Sequence, residues 1–553
     1  MNTELRIGVF ICHCGINIAG VLDIKGLCEY AKALPNVVTA QANLFTCAET
    51  GTSAIKKAVK DNNLNRVVVA ACTPRTHEPL FRASCKEAGI NPFLFEMVNI
   101  REHCSWVHRH NKDAAQAKAG DLIRMAVAKA AFLEPIETFK SKVEPLTLVI
   151  GSGIAGMTSA LALADQGFEV ILIEKEENMG GLLRHLHKIA PANVAASELI
   201  EEKIAAIKKN KRIKYFTSAI LEEVTGYVGN FSVRFSCGND SYTCKVGVII
   251  VATGGIPLRP EGLFNYDGKN VITQSELEIK LKKGDIEAKS IVMIQCAGAR
   301  IPERNYCSRI CCMVAIKNCL YLKDIIKDAK IFVLFRDIQA YGVENEALFL
   351  KAREAGVRFI RYSPDTPPVV ENGKVKIYYP AMGKEVILPA DLIVLSTPIV
   401  AHDDAESISK ILKVPINENK FFLEAHAKLS PLDFAYNGIY LCGNAHYPAT
   451  VREATYQALG AASRACITLS HDTIERVGTV ASVQEELCST CFTCIKVCPY
   501  NVPHMNERGR AEIEPMQCQG CGICVAECPA EAIEFKYISD KQIMAACEAL
   551  LAS

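Results

Sequence analysis

A glycine-rich stretch, residues 146–175, most constrains the fold of this 553-residue chain. It reads LTLVIGSGIAGMTSALALADQGFEVILIEK, in which a short apolar run leads through three glycines spaced GxGxxG into an apolar helical segment. Gly151 permits a tight turn, Gly153 lets the backbone approach a pyrophosphate, and Gly156 lets helix and strand pack closely. The helix N-terminus directs free N–H groups at the phosphates. The pattern predicts a strand, turn and helix that bind a dinucleotide.

An acidic residue follows the second apolar run, FEVILI. Glu174 lies about 20 residues beyond the glycines, where a carboxylate accepts hydrogen bonds from a ribose hydroxyl. The alternative is a coincidental glycine-rich turn, but strand, fingerprint, helix, strand and acid in register favour the dinucleotide site. The residues predicted to bind the dinucleotide in this stretch are Gly151, Gly153, Ile154, Ala155, Gly156, Glu174 and Lys175.

Composition is that of an ordinary globular protein with an unusual number of cysteines. Basic and acidic residues balance at 62 and 61, and nothing indicates a nucleic-acid partner. The N-terminus lacks a signal-peptide pattern, and no apolar run approaches the roughly 18 residues of a membrane span. We therefore expect a cytoplasmic protein with no membrane span. Thiols stay reduced there, so the 25 cysteines indicate metal or cluster ligands and buried packing thiols rather than disulfides.

Residues 1–105 predict a small parallel α/β domain. The runs RIGVFICHC, VVTAQANLFTC and RVVVAACTP alternate with helical segments around residues 23–34 and 51–60. Cysteines follow each strand at its carboxyl end, and those ends share the edge of a parallel sheet where ligands bind. We predict a four-cysteine iron–sulfur site, with zinc as the alternative and four ligands among Cys12, Cys14, Cys47, Cys72 and Cys104. His13 is expected to be a bystander, and Cys28 and Cys85 to be packing thiols. Residues 106–142 predict a helical connector that is closed by Pro135 and docks on the next domain.

Residues 143–475 predict a flavoprotein domain, because three later segments favour FAD over NAD. Gly180 and Gly181 allow another close backbone approach. The strand in VGVIIVATGG ends at a frequent return point of flavoproteins with two dinucleotide folds. The segment NGIYLCGNAHYPATVREATYQALGAASRA is expected to close over the flavin, as the last segment does in this superfamily. The predicted FAD-binding residues in these segments are Gly181, Ala252, Thr253, Gly254, Gly443, Asn444 and Ala458.

A second glycine fingerprint is expected in this class, but the chain has cysteines in its place. After the run KSIVMI stand Gln295, Cys296 and Ala297, so binding of a pyridine nucleotide is doubtful. Four thiols within 17 residues, on a loop and a helix start, predict a cluster site formed by Cys296, Cys307, Cys311 and Cys312. Lys317, in the same helix, either directs a cation at the flavin or cluster or is a solvated surface lysine. No CxxC indicates an exchangeable disulfide in this domain, and the cysteines expected to be structural are Cys237, Cys244, Cys319, Cys442, Cys466 and Cys547.

Residues 480–540 carry a duplicated motif, C-x2-C-x2-C-x3-C-P, followed by a tail helix at 541–553. This is the run of two-cluster bacterial ferredoxins, in which the fourth cysteine of each run ligates the other cluster. We therefore predict two [4Fe-4S] clusters rather than zinc, the first held by Cys488, Cys491, Cys494 and Cys528 and the second by Cys518, Cys521, Cys524 and Cys498.

The chain resembles HdrA, the iron–sulfur flavoprotein of heterodisulfide reductase, and its relatives in anaerobes over nearly its full length. The resemblance lies in GVFICHCGINIAG, VVVAACTPRTHEPLFR, NIREHCSWVH, QCAGAR with YCSRICCMVAIK, FRDIQAYGVENE, AREAGVRFIRY and the ferredoxin pair. It implies a thioredoxin-reductase-like FAD domain, a non-standard cluster on the four cysteines at 296–312, an N-terminal cluster and a lysine matching Lys317 near the flavin. Many members have a second ferredoxin inserted in the flavin domain, whereas residues 220–250 of this chain contain no cysteine run.

The resemblance implies a component of an anaerobic, multi-subunit oxidoreductase in which FAD converts two-electron to one-electron transfer. Such flavins can bifurcate electrons between a high-potential acceptor and a low-potential, ferredoxin-type acceptor. The partners implied are sister proteins resembling heterodisulfide reductase B and C, a hydrogenase-, formate dehydrogenase- or similar delta-type donor, ferredoxin, and a second copy of the chain. The alternatives are an NAD(P)H-oxidising flavoprotein like the small subunit of glutamate synthase, and a non-catalytic electron-relay subunit.

Overall fold

The chain divides into two units in a computed structural model that describes residues 4–552, apart from the side chains of residues 476 and 477. The central unit is Ser141–Ile474, and the end unit combines Met1–Lys140 with Glu475–Ser553. The chain passes between the units in the strands Thr138–Lys142 and Thr473–Val477. The end unit therefore joins two segments that are distant in sequence.

Four parallel strands form the N-terminal sheet of the end unit. Their order in the sheet is Val37–Asn43, Ile7–Cys12, Arg66–Ala71 and Phe95–Asn99. The first three confirm the predicted strands. The fourth was missed because it is a short edge strand in which buried and half-buried residues alternate. The helices of this part are Ile16–Ala19, Ile24–Lys32, Glu49–Asp61, Pro74–Glu87, the π-helix Arg101–Ser105 and Lys112–Ala131.

The helix Lys112–Ala131 differs from the predicted connector. It begins at Lys112, where the side chain of Asn111 caps it by accepting a hydrogen bond from the Ala114 amide, and it ends at Ala131, before Pro135. Its buried face, which includes Ile123, belongs to the core on one side of the N-terminal sheet. The expectation of a connector docked on the next domain was therefore wrong: burial of alanine and isoleucine against the sheet makes this helix part of the N-terminal core.

The C-terminal part of the end unit contains two half-repeats around a small core that includes buried cysteines. Its strands pair as Ala481–Val483 with Ile533–Phe535 and His504–Met505 with Ala511–Glu512. Its helices are the 3-10 turn Glu485–Leu487, Thr493–Val497, Ile523–Ala526 and Asp540–Leu551.

The two parts of the end unit are held together by the helix Asp540–Leu551 and the residues before it. The guanidinium of Arg124 donates to the carbonyl oxygen of Ala549 at 2.7 Å, and the Gln542 amide donates to that of Phe132 at 3.2 Å. Tyr537 packs against the N-terminal core, and Arg82 lies 4.7 Å from its ring centroid. These contacts explain why segments so distant in sequence form one unit.

The central unit contains two parallel sheets. The first has the order Ile213–Phe216, Glu169–Ile173, Leu146–Ile150, Val248–Val251, Ile439–Leu441. Its other elements are the helices Ile154–Asp165, Ala196–Lys209 and Val451–Leu469, the 3-10 turns Gly181–His185 and Gly443–Ala445, the strand pair Lys188–Ile189 and Val194–Ala195, and the antiparallel strands Ala219–Tyr227, Asn230–Cys237 and Asp240–Val246. These three antiparallel strands, joined by short turns, form residues 219–246, so no further domain is inserted there.

The second sheet has the order Val271–Thr273, Leu392–Leu395, Ser290–Ile294, Lys330–Phe335, Arg358–Arg361. Its helices are Gln274–Lys283, Cys311–Ile325 and Val343–Glu354, and its antiparallel strands are Val369–Glu371, Lys374–Tyr379 and Lys384–Pro389, with the 3-10 turn Pro380–Met382. The strands Gly255–Pro257 and Ile399–Ala401 pair between the two sheets, and the helix Ala405–Leu412 follows them. This is the predicted arrangement of two dinucleotide folds.

Candidate redox centres

The glycine fingerprint forms the predicted turn between the strand Leu146–Ile150 and the helix Ile154–Asp165. Gly151 has a φ of 97°, and a Cβ added there would lie 2.5 Å from the carbonyl oxygen of Ala252. A Cβ on Gly156 would collide with the carbonyl oxygen of Gly151, whereas one on Gly153 would meet no atom within 4 Å. Two glycines therefore serve close packing, and the third leaves an open backbone surface at a helix N-terminus, which suits a pyrophosphate.

Glu174 lies directly after the strand Glu169–Ile173 and stabilises the glycine turn. Its Oε2 accepts hydrogen bonds from the Ser152 amide at 2.8 Å and from the Ser152 hydroxyl at 2.7 Å. A carboxylate has about four acceptor sites, so a ribose hydroxyl can bind in addition. The next residue, Lys175, forms a 2.8 Å ion pair with Asp404. Burial opposes the ionisation of Asp404, but hydrogen bonds from His402 and Lys175 lower its pKa to about 2.

The other segments predicted to bind FAD supply backbone and a polar group. The hydroxyl of Thr253 is buried without a hydrogen-bond partner in the part of the chain that the structure describes. Gly181 lies against Gly153, because a Cβ added to Gly181 would be 3.2 Å from the Gly153 Cα. The Gly443 amide donates to the side chain of Gln457 at 2.8 Å.

The remaining predicted residues belong to the same segments. Asn444 Oδ1 accepts from the Ala449 amide at 2.7 Å, Ala458 is fully buried in the helix Val451–Leu469, and a Cβ on Gly254 would meet open space. The open backbone at Gly153 and the unpaired Thr253 hydroxyl fit a flavin dinucleotide. When bound, the flavin would exchange electrons with partners either in pairs or singly.

The four cysteines that replace the second fingerprint lie close together in the central unit. Cys311 and Cys312 form the first turn of the helix Cys311–Ile325, and Cys296 follows the strand Ser290–Ile294 with a φ of 60°. Burial is the largest of the effects that raise the pKa of Cys296 to about 11; the charges of Cys312 and Cys307 act in the same direction. Cys311 donates a hydrogen bond to Cys312, which raises the pKa of Cys311 and lowers that of Cys312. These thiols fit a metal cluster, which binds them as thiolates.

Lys317 is buried, so the alternative of a solvated surface lysine was wrong. Only 5% of its side chain is exposed, and its ammonium forms a 2.5 Å ion pair with Glu278, whose side chain is 1% exposed. The ammonium also donates to the carbonyl oxygen of Lys188 at 2.9 Å. Glu278 accepts a second hydrogen bond, from the His187 amide at 2.8 Å. Burial lowers the pKa of Lys317, which the charge of Glu278 opposes. The sequence missed Glu278 because it lies in an ordinary helix start, SELEIKLKK, with no motif.

Four of the five N-terminal cysteines lie together at the carboxyl edge of the N-terminal sheet. Burial is the largest of the effects that raise the pKa of Cys72 to about 11; the charges of Cys14 and Cys12 act in the same direction, and that of Arg101 opposes them. The same two thiols raise the pKa of Cys47, after the larger effect of burial. Arg101, which sequence reasoning missed, donates to the Cys14 sulfur at 3.3 Å. These four thiols are placed to share a ligand.

Cys104 lies elsewhere. It is fully buried in the core on one side of the sheet, and its thiol donates to the carbonyl oxygen of Ala115 at 3.0 Å. Cys12 belongs to the core on the other side. The two thiols therefore lie on opposite faces of the sheet, Cys12 at the end of the strand Ile7–Cys12 and Cys104 in the π-helix Arg101–Ser105.

The eight cysteines of the ferredoxin part line two separate hollows. One hollow is lined by Cys488, Cys491, Cys494 and Cys528, and the other by Cys498, Cys518, Cys521 and Cys524. Each hollow thus combines three cysteines of one run with the fourth of the other.

Other thiols lie in apolar surroundings. Burial raises the pKa of Cys85 to about 12 and that of Cys442 to about 12, and Cys319 contacts the Met293 sulfur at 3.5 Å. Among residues 4–552, no three His, Cys, Asp or Glu side chains are placed to hold a single metal ion. The thiolates of a four-iron cluster bind different iron atoms and so need not converge on one point. No helix in the described residues is long and apolar enough to cross a membrane.

Two family profiles match the chain: pyridine nucleotide-disulphide oxidoreductase over residues 146–294 and the 4Fe-4S dicluster domain over residues 487–532. Among solved structures, the thioredoxin reductase of Lactococcus lactis is 16% identical with a TM-score of 0.43, and the match covers 59% of this chain and 99% of that one.

Two relatives align over almost their whole length. An HdrA iron-sulfur protein of the CoB--CoM heterodisulfide reductase from Methanopyrus kandleri is 36% identical over 91% of this chain and 92% of its own. The HdrA protein of the H(2):CoB-CoM heterodisulfide,ferredoxin reductase from Methanothermobacter marburgensis is 35% identical over 99% of this chain and 98% of its own. That alignment spans 646 residues, more than the 553 of this chain, so the relative contains insertions that this chain lacks. By these identities and coverages, the chain belongs to the HdrA family, the iron–sulfur flavoproteins of heterodisulfide reductase.

Proposed function

We propose that this chain is the electron-distributing component of a larger anaerobic oxidoreductase, with FAD on the glycine fingerprint and four [4Fe-4S] clusters. A reducing pair enters the chain, and single electrons leave it to partner proteins. One observation carries this proposal most directly. The central unit has a dinucleotide cradle at the first glycine fingerprint. At the place of a second, pyridine-nucleotide fingerprint it has four close thiols instead, Cys296 and the three at residues 307–312. A nucleotide-dependent reductase would need that second fingerprint.

Each cofactor has a proposed set of residues. Gly153 and Thr253 face the FAD pyrophosphate region, and Glu174 binds the ribose. The fourth cluster is held by the cysteines that gather at the N-terminal sheet edge, Cys12, Cys14, Cys47 and Cys72, and Cys104 is a packing thiol. Lys317 holds a positive charge in the interior beside the second dinucleotide fold, where it favours negative charge on a reduced ring.

The names of the relatives indicate which electron donors and acceptors to test. A relative is named for H(2), the CoB-CoM heterodisulfide and ferredoxin, another for H(2) or formate with the same acceptors, and a third for ferredoxin or F(420)H(2). We propose that this chain also sends one electron to a high-potential disulfide on sister subunits and one to a ferredoxin-type acceptor. Different donor proteins would then supply the pair, and the chain would form a homodimer in the complex.

The composition of the anaerobically purified protein tests this proposal. We expect one FAD and about 16 iron atoms per chain, with matching acid-labile sulfide. Addition of NADH or NADPH to the isolated chain should leave the flavin absorbance unchanged, because the second fingerprint is broken. Rapid bleaching would instead support the NAD(P)H oxidoreductase, and full cofactor loading with no turnover of redox dyes would support the relay subunit.

A further inference from the structure

The loop that carries Cys307 is joined to the helix Val451–Leu469 by one arginine. The guanidinium of Arg309 donates to both carboxylate oxygens of Glu453, at 3.0 and 3.1 Å, and to the carbonyl oxygen of Pro448 at 3.2 Å. The guanidinium also lies 5.1 Å from the ring centroid of Tyr447. A single side chain therefore contacts three neighbouring positions at the start of this helix.

Those positions belong to the segment predicted to cover the flavin. Glu453 also accepts from the amide and hydroxyl of Thr450, at 2.9 and 3.1 Å, and so completes the capping box of the helix. Ala449, between Pro448 and Thr450, donates to the side chain of Asn444. Arg309 thus contacts the carboxylate that fixes the helix start and, through it, the turn at Gly443.

The backbone of Arg309 connects the same residue to the thiols. Its amide donates to the Cys307 sulfur at 3.3 Å, and two residues later Cys311 begins the helix that carries the vicinal thiols. Its φ is 61°, a left-handed conformation that a side chain with a Cβ adopts at a cost. Because such conformations persist where surrounding contacts hold them, the guanidinium contacts are the natural source of that restraint.

A second set of hydrogen bonds joins the loop to the strand Ile399–Ala401, which lies beside another segment predicted to bind FAD. The buried Ser308 hydroxyl accepts from the Ile399 amide at 3.0 Å, and the Tyr306 hydroxyl donates to the Ile399 carbonyl at 2.9 Å. The strand Ile399–Ala401 pairs with Gly255–Pro257, which follows directly after Thr253 and Gly254. The loop therefore contacts the segment at residues 443–453 directly through Arg309, and it is linked indirectly, through the strand Ile399–Ala401, to the backbone that follows Thr253 and Gly254.

We propose that Arg309 is a positioning residue that couples the ordering of two segments, the cysteine loop of residues 296–310 and the segment that covers the flavin. Binding of FAD then restrains the loop and improves retention of its cluster. The inference rests on the proposed function, because it takes FAD and a cluster as the groups bound. It adds a dependence of one site on the other that follows mainly from the Arg309 contacts.

Hydrogen exchange of the full chain, with FAD bound and after FAD removal, tests the coupling. In the wild-type protein, FAD should slow exchange of the amides at residues 300–310 by about fivefold or more. The Arg309→Gln variant should bind FAD but lose that FAD-dependent slowing. Glu453→Gln provides a second variant if the first does not fold, since glutamine keeps the capping box and removes the charge that Arg309 contacts.

The matched control is Arg452→Gln, next in the same helix. Arg452 forms an exposed ion pair with Glu344 at 2.7 Å, and its loss should leave the FAD-dependent slowing intact. A loss of thermal stability without a change in FAD-dependent exchange would overturn the inference, because that is the outcome of a merely structural ion pair. The inference would also be overturned if hydrogen exchange in the wild-type protein were the same with and without FAD. Failure of the wild-type chain to bind FAD would instead overturn the proposed function.

Discussion

Removing the carboxylate partner of Lys317 should leave a buried positive charge without a negative partner. In Glu278→Gln the side chain keeps its volume and its hydrogen bond from the His187 amide, but the ammonium retains only neutral acceptors. Both side chains are at least 95% buried, so solvent screens the pair little. Breaking a pair of this kind costs about 3–5 kcal/mol. The apparent free energy of unfolding of the central unit should fall by that amount at pH 7.

The loss of unfolding free energy in Glu278→Gln should become smaller as the pH rises. Burial already lowers the pKa of Lys317, and Glu278 opposes that effect, so the variant should lower this pKa further. In the range between the folded and unfolded pKa values the unfolded chain binds more protons, and stability therefore increases with pH. Between pH 7 and pH 9.5 the difference in unfolding free energy between the variant and the wild type should therefore decrease.

Anaerobic urea unfolding, followed by the fluorescence of released FAD, measures this difference. The control is Glu406→Gln, which removes the carboxylate of an exposed ion pair with Lys420 in the same unit and should have no measurable effect. A loss below about 1 kcal/mol, equal at both pH values, would refute the reasoning, because Lys317 would then not depend on Glu278 for its charge.

Three further substitutions test individual sites. Gly156→Ala should abolish FAD binding and reduce soluble yield, because the added Cβ meets the Gly151 backbone; fluorescence of extracted flavin measures this. Cys104→Ser should retain the iron content of wild type, whereas Cys72→Ser should lose about four iron atoms per chain, and equal losses would contradict the assignment. Cys528→Ser should remove the signal of one ferredoxin cluster from the electron paramagnetic resonance spectrum and leave the other, and loss of both signals would argue against separate hollows.

Local spacing made much of the fold and several sites predictable from the sequence. The turn at Gly151 favours glycine because its φ of 97° is a local property of the backbone. The helix start at Cys311 could likewise be predicted from its own short stretch. The grouping of Cys528 with the first ferredoxin run could be inferred because the duplicated motif implies an exchange of fourth ligands. In each case a local pattern has one structural solution.

Long-range pairings could not be predicted in this way. Lys317 and Glu278 are 39 residues apart, and Glu278 stands in no motif, so the sequence left a surface lysine as an open alternative. Cys104 looked equivalent to its neighbours because spacing does not show which face of the sheet a thiol meets. The pairing of Arg309 with Glu453 spans 144 residues and depends on how the two dinucleotide folds pack.

The end unit has a consequence for biosynthesis. Its N-terminal sheet leaves the ribosome before the central unit, but the helix Asp540–Leu551, which packs on the helix Lys112–Ala131, is translated only after the whole central unit, a delay of tens of seconds at typical elongation rates. During that interval the surface of the helix Lys112–Ala131 that later receives the C-terminal helix stays uncovered in the nascent chain. Premature termination shortly before the C-terminal helix would therefore damage the beginning of the protein as well as its end.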